Sequence, residues 1–312
     1  MKILTCLMCC SLGVTALAEE SAGTSPLEHE REVYGRVFDR IVSRCRIWPG
    51  LAPNETSDDP GRYAFDGRGR VWRRYDVSAP ELVLLKPREV KFDTLVLVMA
   101  GGGYKTQNFG FIGPNVQPIL ESGRWVAVLN YRIPRREGRP IYAAAREDAT
   151  RAIRWLKGHA GEFGYSPKKI GSLGFSAGGQ LSVLLAVSSQ DASYDRVDSL
   201  DDIPANLAFA VAVYPAYVLD DGETGPNVRN GDDAELLPEF KFDKKTPPMF
   251  LLHGDLDNYS PMGSLLIYRE LHRRKIPAQL FVYARAYHGL CNRVNVRGWE
   301  QRIIDWMDGL GF

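Results

Sequence analysis

Residues Gly174-Phe175-Ser176-Ala177-Gly178 spell G-x-S-x-G between an apolar strand candidate (residues 170–175) and a helix candidate (residues 178–189). In that setting the motif describes a nucleophile elbow, a sharp strand-to-helix turn that lifts a serine hydroxyl clear of the backbone. The turn crowds the main chain, so a side chain at the flanking positions would clash and glycine relieves the crowding. The following helix aims free N–H groups and the positive end of its dipole at the serine, where negative charge would develop. Five residues with three fixed recur by chance, and the plain alternative is a glycine-rich turn. The rest of the chain decides between them.

Working outward, strands and helices alternate. Residues 94–99 and 125–130 are continuous apolar runs, and residues 142–159 carry Ala145, Ala149, Ala152, Ile153 and Leu156 on one helical stripe. Residues 207–214, 248–253 and 278–283 read as strands, and 262–273 and 299–310 as helices. Uninterrupted apolar strands separated by helices predict an α/β fold, a mostly parallel sheet covered on both faces. Ligands then sit beyond the carboxyl ends of the strands, and Ser176 lies at such an end. Upstream, residues 30–43 are expected to be helical, 48–69 irregular, and 70–76 and 82–86 strands. Residues 216–246 are polar, acidic and irregular, a loop or small lid over the site.

Composition excludes several classes. With 39 Lys and Arg against 38 Asp and Glu, the net charge of +1 provides no field for nucleic acid or an acidic membrane surface. Lys2, the apolar run 3–14 and Ala16-Leu17-Ala18 have the layout of a secretory signal peptide, too short for a stable membrane span. The expected organisation is a signal peptide at 1–18, a tether and helix at 19–45 and one catalytic domain at 46–312. The protein is expected to be secreted or periplasmic, without a membrane anchor. Removal of the signal leaves Cys45 and Cys291, either as two separate thiols or as a bridge. The sequons at Asn54 and Asn258 are read as accidental.

A serine hydroxyl needs a base, usually a histidine held by a carboxylate. The elbow architecture orders them serine, acid, histidine. Of five histidines, only His253, His272 and His288 follow Ser176. His288 is the better base, in the loop after the last strand. Asp255 and Asp257 both follow the strand that ends at His253. Asp257 is preferred because a short turn must pass the strand end before a side chain reaches the next loop; Asp255 is the alternative. Oxyanion donors are expected from the amide of Ala177 and from Gly102 and Gly103 in the run Ala100-Gly101-Gly102-Gly103-Tyr104. Tyr104 is a candidate substrate contact. No metal or cofactor is implied, since the cysteines and histidines show no ligand spacing.

With these residues in place, the chain resembles the acetyl-esterase and feruloyl-esterase-like branch of the α/β-hydrolases, which includes acetylxylan esterases. The resemblance lies in Ala100 to Tyr104, Asn130-Tyr131-Arg132, the helix run Asp148 to Arg154, Gly174 to Gly179, His253 to Asp257, Tyr287 to Leu290 and the early Trp48 to Pro53. It spans roughly residues 46–312 and supports Asp257 as the acid. Alanine stands where the family has proline or histidine before the glycines, and Tyr287 replaces the usual glycine before the histidine. The resemblance implies an α/β-hydrolase fold and a serine esterase acting on short acyl esters, acetyl or feruloyl, carried by carbohydrate. Two other readings are a serine peptidase of the prolyl-oligopeptidase type and a catalytically silent binding protein on the same fold. Oligomeric state is not legible.

Overall fold

The computed structural model describes residues 26–188, 191–220, 234–290 and 296–312. The expected signal segment, much of the proposed lid and Cys291 lie outside the described residues. The chain enters through helix α1 (Pro26–Tyr34), a 3-10 turn (Gly35–Arg40) and strand β1 (Ile41–Arg46). A hairpin of β2 (Arg62–Phe65) and β3 (Val71–Tyr75) precedes β4 (Glu81–Leu85) and β5 (Leu95–Met99). Helix α2 (Ile112–Glu121), β6 (Trp125–Asn130), helices α3 (Ala143–Gly158) and α4 (Ala160–Phe163), β7 (Ile170–Phe175) and α5 (Ala177–Ser188) follow. After β8 (Ala210–Val213), the two-residue strands β9 (Leu219–Asp220) and β10 (Glu235–Leu236) pair with each other. The chain closes with β11 (Met249–Gly254), α6 (Met262–Arg273), β12 (Ala278–Tyr283) and α7 (Trp299–Gly309).

Eight strands form one sheet in the order β1-β4-β6-β5-β7-β8-β11-β12. The pairs β1/β4 and β4/β6 are antiparallel, and every later pair is parallel. This is the mostly parallel α/β sheet that the alternation of strands and helices predicts, in the α/β-hydrolase arrangement that the resemblance implies. Successive side chains of β5 point to opposite faces: Leu95, Leu97 and Met99 enter one core, Val96 and Val98 the other. Helices α3 and α5 cover the first face, and α2 and α7 the second. Strands β5, β6, β7 and β11 are buried along their whole length. That is why they read as unbroken apolar runs. Helix α5 is apolar on every side and almost wholly buried. It fixes the elbow in the centre of the molecule.

Two expectations change, and one helix is added. The helix expected at 30–43 ends at Tyr34, because Gly35 takes a left-handed φ of +49° and the β-branched run beyond it joins the sheet as β1. Part of the stretch expected to be irregular forms β2, which pairs with β3. Helix α2 has no counterpart among the expected elements, and it carries Gly113, Pro114 and Pro118 within its bounds. Its buried face of Ile112, Val116, Ile119 and Leu120 holds it in place against the second core. Cys45 is half-buried and unpaired, its thiol pushed up to about 12 by burial and then by Glu81. No described helix is long and apolar enough to cross a membrane.

Candidate active site

Ser176 sits where β7 hands over to α5, at a left-handed φ of +54°. That conformation costs a non-glycine residue about 1–3 kcal/mol and persists only where its surroundings enforce it. They do so here. A β-carbon on Gly174 would lie 1.8 Å from the Gly178 carbonyl oxygen, and one on Gly178 would lie 2.3 Å from that of Met99. The Ser176 carbonyl accepts the N–H groups of Gln180 and Ala216.

The Ser176 hydroxyl lies 2.8 Å from His288 Nε2. On the far side of the ring, His288 Nδ1 is 2.9 and 2.8 Å from the two Asp257 oxygens. A carboxylate only accepts, so Nδ1 carries the proton and Nε2 is left bare to receive the serine hydroxyl. The structure therefore joins Ser176, His288 and Asp257 in one hydrogen-bonded relay. Asp255, the alternative acid, is engaged elsewhere: its Oδ1 accepts the Ala286 N–H at 3.3 Å and steadies the turn that delivers His288.

His253, set aside as the base in the sequence reading, contributes as a neighbour of Asp257. It is fully buried and lies 3.4 Å from Asp257 through Nε2. The same nitrogen donates to the Tyr259 carbonyl at 2.9 Å, and Nδ1 accepts from the Ser264 hydroxyl at 2.8 Å. Asp257 also accepts the Tyr259 N–H at 2.8 Å. Burial pushes the Asp257 carboxyl up, but hydrogen bonds from His253 and His288 outweigh it and hold it below its ordinary value. A carboxyl lowered in the folded state stabilises the fold above its unfolded pKa, and that contribution fades as pH falls through the folded value. Asp257→Asn is therefore expected to be less stable than the wild type at pH 7. The gap closes below about pH 4, where aspartate is protonated in the unfolded chain. Urea midpoints at pH 7 and pH 3 check this; a gap that widens on acidification would reverse the sign.

The glycine loop stands across from the elbow. Gly102 has φ +139°, and a β-carbon there would lie 2.1 Å from the Thr106 carbonyl oxygen. The turn closes on the Gly102 carbonyl, which accepts from Lys105 and Thr106. Among the described residues nothing accepts the amides of Gly102, Gly103 or Ala177. Gly101, read as part of the glycine run but not as a donor, stands close to the serine: a β-carbon on it would lie 3.0 Å from Ser176 Cβ. Tyr104 is corrected. It is 1% exposed, and its hydroxyl serves the Ala177 carbonyl at 2.8 Å and Gln180 Oε1 at 2.9 Å. It ties the glycine loop to α5 and has no surface left for substrate.

Ser176 and His288 open into a cavity of about 90 Å³ whose walls include Gly101, Ile112, Asn115, Phe175 and Tyr214. Farther from the serine, the remaining motifs converge on one buried knot. The Arg132 guanidinium reaches both Asp148 oxygens through Nε at 2.9 and 3.0 Å and Glu147 through Nη2 at 2.6 Å. Its Nη1 reaches the Pro53 carbonyl at 2.6 Å, and Trp48 Nε1 donates to Asp148 at 2.9 Å.

Residues 82–220 match the BD-FAE family model. The chain is 29% identical over 226 residues to endo-1,4-beta-xylanase B of Butyrivibrio fibrisolvens, covering 68% of this chain and 35% of that protein. It is 27% identical over 288 residues to the probable carboxylic ester hydrolase LipM of Mycobacterium tuberculosis, covering 79% and 62%. It thus spans between about a third and three fifths of these relatives' lengths. Among solved structures, the acetyl ester-xyloside bifunctional hydrolase from Caldicellulosiruptor lactoaceticus superposes with a TM-score of 0.68 at 22% identity, covering 86% of this chain and 97% of that one. Propionate-bound esterase Est2 of Thermogutta terrifontis gives 0.61 at 22%, covering 75% and 90%. Sheet order and solved neighbours agree on the α/β-hydrolase fold, and within it residues 82–220 are similar to the BD-FAE family.

Proposed function

We propose that this protein is a serine esterase that removes short acyl groups, acetyl foremost, from carbohydrate, and that it works outside the cytoplasm. The observation that carries the reading is the relay from Ser176 Oγ through His288 to Asp257. His288 Nε2 takes the serine proton as Oγ adds to the ester carbonyl, and Asp257 steadies the resulting imidazolium. The amides of Gly102, Gly103 and Ala177 receive the oxyanion at the positive end of α5. The proton passes from His288 to the departing alcohol. Water, deprotonated by the same nitrogen, then frees the acid from Ser176. Residues 1–18 support export by their pattern alone.

Cavity size supports acetyl over feruloyl. An apolar cavity of about 150 Å³ is known to take up one benzene ring. The space beside Ser176 is about 90 Å³, which an acetyl or propionyl group fills more closely than an aromatic acid would fit. A series of 4-nitrophenyl esters tests the reading. Acetate is expected to exceed octanoate in kcat/KM by at least about tenfold, each misplaced methylene counting against the longer chain. Equal rates for acetate and octanoate would remove the short-acyl assignment, and no turnover of any ester would remove the esterase.

A further inference from the structure

Tyr217 and Tyr259 stand beside the site with no part in the chemistry above. Tyr259 follows Asp257 by two residues and carries its ring 4.8 Å from that of His288. Tyr217 follows β8. Its carbonyl accepts Gln180 Nε2 at 2.6 Å, and the N–H of neighbouring Ala216 donates to the Ser176 carbonyl at 3.2 Å. Tyr214 and Tyr217 hold φ values of +40° and +56°. Two bulky residues in the left-handed region, on a segment bonded to the nucleophile's own carbonyl, are the kind of outlier that clusters at functional sites.

The strained segment places one hydroxyl. Tyr217 Oη receives the proton of Tyr259 Oη at 3.2 Å. It also lies 3.1 Å from where a β-carbon on Gly103 would be. A phenol has one proton to give. Tyr259 spends its proton on Tyr217, so the Tyr217 proton remains, and no described residue accepts it. Both rings are half-buried, and neither lines the cavity assigned to the acyl group.

We propose that Tyr217 recognises the alcohol half of the substrate: its hydroxyl donates to an oxygen that neighbours the scissile ester on a polyhydroxylated ring, with Tyr259 as its positioning partner. A simple alkyl ester brings no such oxygen and leaves a half-buried donor unmatched, which costs binding. A sugar carries an oxygen on the carbon next to each esterified one. The inference rests on the esterase reading and deepens it.

The test compares monoacetylated methyl β-xylopyranoside with cyclohexyl acetate, a ring of similar size without neighbouring oxygens. In Tyr217→Phe the ratio of the two kcat/KM values is expected to fall about five- to tenfold, the worth of one neutral hydrogen bond. Tyr259→Phe, which keeps the Tyr217 hydroxyl but loosens it, is expected to lower the ratio less. Both variants retain the ring. Should Tyr217→Phe fail to fold, Tyr259→Phe decides alone. An unchanged ratio, whether both rates drop together or neither does, overturns the proposal and leaves the esterase standing. A wild-type enzyme that hydrolyses neither ester sinks the esterase reading and this inference with it.

Discussion

Ser176→Ala is expected to abolish turnover of 4-nitrophenyl acetate, with kcat falling by about 10⁴-fold or more, as when a serine–histidine unit loses its nucleophile. The hydroxyl has no substitute nearby. His288 Nε2 faces Oγ alone within 2.8 Å, and Ser172 and Ser182 are fully buried and bonded to each other at 2.6 Å. The fold is expected to survive, because alanine endures the same left-handed φ and the Ser176 backbone bonds to Val213, Gln180 and Ala216 remain. A fluorophosphonate probe separates chemistry from stability: it is expected to label the wild type and not the variant, with melting curves within a few degrees of each other. Labelling of Ser176→Ala at a wild-type rate, or more than a few per cent of residual turnover, would put the nucleophile elsewhere.

What the sequence discloses about this site follows the range of the forces involved. The elbow motif is contiguous, and Gly174 answers a clash with Gly178 four residues on, so Ser176 could be read directly, although Gly178 itself answers to the distant Met99 carbonyl. The central strands are legible because burial on both faces leaves one apolar signature. Asp257 against Asp255 was harder. Both follow β11, and the choice depends on where the β12 loop returns, which only Ala286 bonding to Asp255 reveals. The glycine loop was legible as a loop but not in its detail. The approach of Gly101 to Ser176, and the inward turn of Tyr104 at φ +56°, are set by contacts across about seventy residues. Tyr104 is a candidate substrate contact in the sequence because nothing nearby along the chain shows that Gln180 receives its hydroxyl. Likewise the first half of β1, residues 41–43, fell within the expected helix, since its strand state comes from pairing with β4.

The largest effect on stability is expected from Arg132→Met, and the reason is the burial of its partners. Arg132, Glu147 and Asp148 are at most 2% exposed. Removing one member of such a cluster leaves carboxylates stranded away from water, which costs about 3–5 kcal/mol. Glu147 retains Arg139 and Glu55 retains Arg136, so the stranded charge is chiefly Asp148, left with the indole N–H of Trp48 and the Arg132 backbone N–H. The knot also ties the segment around Trp48 and Pro53 to the loop after β6. In that loop Tyr131 donates its hydroxyl to the Ala100 carbonyl at 2.7 Å, at the foot of the glycine loop. A loss of about 3–5 kcal/mol corresponds to roughly 6–20 °C in the melting midpoint of a domain somewhat smaller than this one. Because the penalty comes from an unpaired charge and not from lost attraction, Arg132→Met combined with Asp148→Leu is expected to recover part of it, although the Trp48 indole then loses its acceptor. A single variant within about 1 kcal/mol of the wild type, a typical surface ion pair's worth, would show that water reaches Asp148. A double variant less stable than the sum of the two single ones would show that the guanidinium contributes chiefly through Pro53 and Glu147.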